Sequence, residues 1–149
     1  MPSHTHPQKM VWHARLTIGI PAIDEQHARL CGLANRLLDH PDAPAHDERV
    51  VDILTDLGQF LILHLQTEEE YMRRLGMPTD EIANHHQAHN RIIDQYADLN
   101  LAATQGRMHT AAEIFRLVRR WVSDHLDMDD LKIRDYMTSG DLQPAARPD

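Results

Sequence analysis

Histidine is the residue type whose number and spacing in this sequence most clearly indicate chemistry. There are 12 histidines in 149 residues, and five of them fall on the apolar stripes of four segments with helical periodicity. A lone histidine on an apolar face is usually a core residue with its own buried partner, because an unsatisfied buried polar group is costly. Five of them on four helices are more simply explained by one shared metal site. The five are His27, His64, His85, His89 and His125.

Two pairs of candidate ligands are separated by four residues, the spacing that places both side chains on one face of a helix. His85 and His89 form one pair, which is a good two-ligand arrangement for a metal ion. His64 and Glu68 form the other pair, in the stretch HLQTEE. This spacing predicts that each pair points into the interior of the protein from its own helix.

The neighbours of these residues are expected to point elsewhere. Glu69 and Glu70 follow Glu68, but each residue rotates by a further ~100° around a helix, so we predict that both lie on a solvated face. His86 is rotated by the same angle from His85 and is also predicted to face outward.

A second carboxylate is less firmly placed by spacing. Asp130 lies five residues after His125, which misaligns the two side chains by roughly 140° on an unbroken helix. If Asp130 is a ligand, the fourth helix must end or bend between them, and the helical period is indeed lost after Asp129. On spacing alone, Asp127 and Asp129 are alternatives.

Five imidazoles and two carboxylates are more ligands than one metal ion readily uses, whereas two ions can share them if the carboxylates bridge. Three histidines, two bridging carboxylates and one solvent-derived bridge give six ligands at the first ion. Two histidines with the same bridges give five at the second, which leaves one position open for a small molecule. Nitrogen and oxygen ligation without thiolate suits iron, manganese, zinc or cobalt.

The helices that position these residues follow from apolar periodicity, with proline and glycine at their ends. The predicted helices run over 21–38, 47–75, 80–105 and from Thr110 to about 129, followed by a short one at 131–137. Short connections predict an all-α, up-down-up-down antiparallel four-helix bundle with an extended N-terminal arm and a short C-terminal helix. We expect an arm over 1–18, the bundle over 19–137 and a disordered tail over 138–149.

Composition limits the cellular setting and the partners. The formal net charge of -8 argues against nucleic acid, whose phosphates need a basic surface. Cys31 is the only cysteine, so no intramolecular disulfide can form, and the first residues lack the apolar run of a signal peptide. No apolar stretch approaches membrane-spanning length. These features predict a cytoplasmic protein without membrane insertion.

Four stretches of the sequence, taken together, resemble the hemerythrin family, in particular its bacterial single-domain members. They are Trp12 with TIGIPAIDEQHARL, then HLQTEEEYM, HHQAH and WVSDHLDMDD. They occur in the order typical of the family and span residues 12–137, which is nearly the whole chain.

The resemblance implies a non-haem centre of two iron ions, joined by a bridging oxo or hydroxo group, that binds dioxygen reversibly. It selects Asp130 among the three aspartates and implies that Glu68 and Asp130 bridge the ions. The six-coordinate iron would be held by His85, His89 and His125. The five-coordinate iron would be held by His27 and His64.

The resemblance also implies a dry pocket for dioxygen beside the open coordination position. Trp121 precedes His125 by four residues and resembles the family's pocket tryptophan. Leu30, Val122 and Leu126 are candidate walls of the pocket, although each could equally be a core residue.

Two positions depart from the family pattern. Leu65 follows His64 where the family often has phenylalanine, which affects the size of the pocket and the access of gas. Cys31 lies one turn after His27 and could approach the open iron, but a small buried apolar role is the better interpretation.

The main functional interpretation is therefore a dioxygen-binding protein, acting as a carrier, store or sensor and not as an enzyme. The alternative is a di-iron enzyme acting on peroxide or nitric oxide, or an oxidase. Oxidases of this architecture usually have Glu-x-x-His pairs and more carboxylate ligands than are found here. A metal-free interaction module would leave the buried histidines without partners. The sequence indicates no particular protein partner or oligomeric state.

Overall fold

The computed structural model describes residues 6–11, 17–107, 110–125 and 131–138 of the chain. Its helices are α1 (Pro21–Arg36), α2 (Glu48–Arg74), α3 (Thr79–Thr104), α4 (Ala111–Asp124) and α5 (Leu131–Thr138). Within the described ranges there is no β-strand, only one isolated bridge between Pro44 and Thr110. The predicted all-α bundle with a short C-terminal helix is confirmed.

The helix starts follow from residues that suit the first turn. Pro21 occupies the first turn of α1, where its missing N–H costs nothing. The side chain of Asp47 accepts a hydrogen bond from the backbone N–H of Arg49 at the start of α2, and Thr110 caps α4 in the same way. The end of the first helix differs from the prediction, because the chain tightens into a 3-10 turn over Leu37–Asp39.

The four long helices pack as neighbours around one axis. Helix α1 contacts α2 and α4, and α2 contacts α3. Helix α4 runs to Asp124 and α5 begins at Leu131. Residues 126–130, where the fourth helix is predicted to end or bend, lie outside the described residues. None of the helices in the described part of the chain is long and apolar enough to cross a bilayer.

The interior of the bundle has three layers along its axis. The lower core joins the start of α1, the end of α2 and α5, and it contains Ile23, Met72, Met77 and Ile133. The upper core joins the other ends of the helices, and it contains Leu37, Leu54, Leu99, Ile114 and Phe115. Between them lies the histidine layer, which consists of His27, His64, Glu68, His85, His89 and His125. On α1, for example, His27 falls between Ile23 of the lower core and Leu30 of the upper core.

The described parts of the arm are tied to α1 by two side chains, those of Asp24 and Asn35. Asp24 accepts a hydrogen bond from the backbone N–H of Ile18 at 2.8 Å. Asn35 accepts a hydrogen bond from the backbone N–H of Met10 at 2.7 Å and donates one to the Met10 carbonyl at 2.9 Å. The predicted limits of the arm, bundle and tail stay predictions, and residues 139–149 of the tail lie outside the described residues.

One close approach inside the bundle depends on a glycine. The ring of Tyr96, on α3, lies directly over Gly58 in the middle of α2. The Tyr96 hydroxyl donates a hydrogen bond of 2.6 Å to the Leu54 carbonyl. A Cβ at Gly58 would fall 2.7 Å from Cε2 of Tyr96, and closer still to the hydroxyl end of the ring.

We therefore expect Gly58→Ala to destabilise the protein, although alanine is the better helix former. Displacing the tyrosine ring should cost about 1–3 kcal/mol, the usual range for overpacking. Gly32→Ala is the matched control, because Gly32 is also helical and a Cβ there would meet nothing within 4 Å. That change should be neutral or stabilising by up to about 1 kcal/mol. Urea unfolding of both variants tests this, and equal shifts would contradict it.

Candidate metal centre

The carboxylate of Glu68 lies at the centre of the histidine layer and is fully buried. Its Oε2 atom is 3.0 Å from Nε2 of His27 and 3.2 Å from Nε2 of His64. Its Oε1 atom is 3.1 Å from Nε2 of His89 and 3.0 Å from Nε2 of His125. One carboxylate therefore divides four histidines from four helices into two pairs, one pair on each oxygen.

The fifth histidine, His85, extends this cluster along α3. It is buried, one turn before His89, and the centroids of the two rings are 5.7 Å apart. On the other side the rings of His27 and His64 are 4.5 Å apart. The five predicted imidazole ligands thus form one continuous buried group.

The donor set fits a metal cation. One ligand atom from each of His27, His64, Glu68 and His125 lies within 4.8 Å of the others. The Nε2 atoms of His64 and His125 are 3.4 Å apart, so both rings direct a nitrogen to the same small region beside Glu68. Buried imidazole nitrogens around a carboxylate suit iron, manganese, zinc or cobalt. The other predicted bridging ligand, Asp130, lies outside the described residues.

The outward nitrogen of His64 is held by a neutral amide. Its Nδ1–H donates to Oε1 of Gln26 at 3.0 Å, and Gln26 in turn donates to the Thr67 hydroxyl at 3.2 Å. This bond fixes the imidazole so that Nε2 presents its lone pair toward Glu68. Such outer partners orient metal-binding histidines.

The outward nitrogen of His89 is held by a carboxylate, and this corrects a prediction. Glu69 was expected on a solvated face, but its side chain is only 19% exposed. It accepts hydrogen bonds of 3.0 Å from Nδ1 of His89 and from Nδ1 of His86. The 100° rotation from Glu68 directs Glu69 toward the neighbouring helix α3 and not into solvent.

Two other predicted neighbours do face solvent. The side chain of Glu70 is 47% exposed and pairs with Arg73 and Arg74. His86 is 57% exposed, as its rotation from His85 predicts, although it also bonds Glu69. The signal that could have identified Glu69 is chemical: a histidine ligand needs an acceptor for its second nitrogen.

These contacts oppose the effect of burial on protonation. Burial by itself lowers the pKa of His89, but the hydrogen bonds to Glu68 and Glu69 outweigh it, and the pKa of His89 is raised. For Glu69, burial favours a higher pKa, but the hydrogen bonds from His89 and His86 lower it. Glu69 is therefore an anion at neutral pH, held between the two rings.

A small apolar cavity adjoins the histidine layer beside His27 and His125 and has a volume of about 20 Å³. The structure places the predicted residues Leu30, Trp121 and Val122 on its wall, whereas Leu126 lies outside the described residues. The rest of the wall is not predicted by the sequence, and it comes from Leu57, Leu61, Ile92, Tyr96 and Val118. This space corresponds to about one water-sized sphere, enough for a diatomic molecule.

The two residues that depart from the family pattern do not line this cavity. Leu65 is buried against Leu61 and Ile92. Cys31 is buried in the upper core, where desolvation raises the pKa of its thiol. The thiol is therefore protonated at neutral pH, in agreement with a small apolar packing role.

The contrast between His89 and His86 gives a direct test of the helix register. We expect His89→Ala to lose metal and stability together, because metal binding is coupled to folding and Nε2 of His89 faces Glu68. His86→Ala should retain the metal, because its ring is outside the layer. Elemental analysis and thermal unfolding measure both effects. If the His86 variant lost metal and the His89 variant kept it, the assignment of the inward face of α3 would be wrong by one residue.

Comparison with known proteins gives one consistent family. The family model for the hemerythrin HHE cation binding domain matches residues 18–135. A bacteriohemerythrin of Stenotrophomonas maltophilia is 28% identical over 129 residues, covering 86% of this chain and 81% of the relative. A bacteriohemerythrin of Methylococcus capsulatus is 25% identical, covering 81% and 91%.

Solved structures agree on the fold. The chain superimposes on a crystal structure of wild-type hemerythrin with a TM-score of 0.72 and 23% identity, covering 89% of this chain and 97% of the other. A crystal structure of a mutant hemerythrin gives a TM-score of 0.75, also at 23% identity, with coverage of 87% and 97%.

Proposed function

The chain belongs to the hemerythrin family, whose domains bind non-haem iron, and we propose that it binds dioxygen reversibly at a pair of iron ions. The observation that carries this proposal is the position of Glu68. A buried carboxylate with a pair of imidazole nitrogens at each oxygen has the arrangement needed to bridge two cations.

The division at Glu68 also supports the assignment of ligands. The pair at Oε2 would hold the iron with the open position, and the pair at Oε1, joined by His85, would hold the other iron. Asp130 is proposed as the second bridge on the basis of its place in the motif WVSDHLDMDD. The proposed ligands are His27 and His64 for one ion, His85, His89 and His125 for the other, and Glu68 and Asp130 for both.

Two ferrous ions at this centre would supply the electrons for reversible binding of dioxygen. The role of the protein is to orient the imidazoles, through Gln26 and Glu69, and to keep water away from the open position. The cavity beside His27 performs the second task, because its other walls are hydrocarbon and aromatic side chains. An apolar cavity of this size remains dry unless polar partners hold a water molecule.

The size of the cavity also supports a binding role over an oxidase role. The space within the cavity, about 20 Å³, suits a diatomic ligand. Nitric oxide and peroxide are small enough to enter, so they are the alternative substrates that the experiment must distinguish.

The test is the iron content of the purified protein and its absorption spectrum after anaerobic reduction, before and after admission of air. We expect close to two irons per chain and a visible band that appears with air and disappears when the gas is removed. One zinc per chain, or no stoichiometric metal, would contradict the di-iron centre. Continuous consumption of an added reductant, without a lasting visible band, would favour the alternative function as a di-iron enzyme.

A further inference from the structure

Two histidines on opposite sides of Glu68 have outer partners of different charge. His64, in the pair at Oε2 of Glu68, donates its outward N–H to the neutral amide of Gln26. His89, in the pair at Oε1, donates its outward N–H to the carboxylate of Glu69. Both bonds are 3.0 Å long, so these two acceptors differ in charge and not in the length of the bond.

We propose that Glu69 is a positioning residue that, through His89, strengthens iron binding and stabilises the ferric state at the iron held by His85, His89 and His125. This inference rests on the proposed iron centre. It assigns to Glu69 a share in setting the affinity and the reduction potential of that iron, a share that the neutral amide of Gln26 does not supply to the other iron through His64.

The physical reason is the sharing of a proton between an imidazole and a carboxylate. An anionic acceptor at Nδ1–H draws that proton outward and makes Nε2 a stronger electron donor. A stronger donor favours the more highly charged ion. The effect is large here because the His89 side chain is 1% exposed and Glu69 only 19% exposed, so little water screens the carboxylate.

The Glu69 carboxylate is fixed by a hydrogen bond at each of its two oxygens. Its Oε2 atom bonds His89, and its Oε1 atom bonds the exposed ring of His86 at 3.0 Å. His86 therefore fixes the rotation of the carboxylate while remaining outside the histidine layer. This gives a function to a histidine that the metal site itself does not use.

The experiment compares Glu69→Gln with Glu70→Gln. Glutamine at position 69 can accept from His89 through its carbonyl and donate to His86 through its amide, so the packing is kept and only the charge is removed. Glu70 is the adjacent carboxylate, and it pairs with arginines on the surface of its own helix. We expect iron affinity, measured by competition with a chelator, to fall about ten- to a hundredfold in the Glu69 variant.

The reduction potential is the second measurement, because a purely structural residue would not move it. Redox titration should show a higher potential for one of the two irons in Glu69→Gln and wild-type values in Glu70→Gln. Equal iron affinity and equal potentials in both variants would overturn the proposal. An unfolded Glu69→Gln protein, detected by circular dichroism, would also overturn it, because Glu69 would then act through the fold.

This result is separable from the proposed function. Wild-type protein without stoichiometric iron would contradict the iron centre itself. Iron-loaded wild type, with a Glu69 variant that keeps its iron and potential, would contradict only the role of Glu69.

Discussion

Glu68→Gln is expected to remove most of the bound iron, since it removes the carboxylate that the two proposed metal positions share. Each carboxylate oxygen faces two imidazole nitrogens at 3.0–3.2 Å, and an amide nitrogen cannot replace either oxygen as a ligand. Changes to outer partners alone typically cost about ten- to a hundredfold in affinity, so the loss of a shared ligand should cost more. Elemental analysis of the purified variant measures it.

The same variant should lose the stability that iron supplies. A ligand at about a thousand times its dissociation constant adds about 4 kcal/mol to the folded state, so the thermal midpoint should fall well below that of the iron-loaded wild type. Glu70→Gln, on the same turn of α2, is the matched control and should behave like wild type. If Glu68→Gln retained two irons, Glu68 would be only a buried hydrogen-bond acceptor.

Trp121→Ala is expected to bind iron and to lose its oxygenated form much faster than wild type. Trp121 forms part of the cavity wall beside His27 and His125, and its removal would admit water to the open position. A barrier lowered by about 1.4 kcal/mol accelerates the loss tenfold, and a breached wall should cost at least that much. The measurement is the decay of the visible band after reduced protein is exposed to air.

The experiment must distinguish a loss of protein stability in Trp121→Ala from the entry of water into the cavity. Removal of a buried aromatic ring typically costs about 3–5 kcal/mol, and Trp121 is only half-buried. Leu117→Ala is the control, because Leu117 is also partly buried against the upper core from α4 but is not among the residues that line the cavity. Equal decay rates in the two variants would mean that Trp121 acts only in packing.

The sequence predicted the elements that carry a strong period. Apolar residues three and four apart placed the four long helices to within about two residues at most described ends. The same period placed the five histidines on the inner faces, because each of them falls in register with the apolar residues of its own helix. In any helical bundle the buried residues must recur with the helical period, so the sequence pattern predicts buried positions well.

Contacts between helices were harder to predict. The role of Glu69 depends on which helix lies beside α2, and rotation from Glu68 alone cannot distinguish solvent from a neighbouring histidine. Tyr96 belongs to the cavity because Gly58 allows its ring to lie against α2. That contact joins residues far apart in the chain, so no local sequence pattern predicts it.

The histidine layer also has a consequence for the order of assembly. His27 and Glu68 are 41 positions apart, and His64 and His125 are 61 positions apart. Contacts with such long separation form late, because closing a long loop of chain costs more conformational entropy than closing a short one. A growing chain would expose Glu68 long before His125 is made, so a complete set of donors exists only after the last long helix has docked. Iron should therefore be captured after the bundle has folded, and its concentration should leave the folding rate unchanged while slowing unfolding.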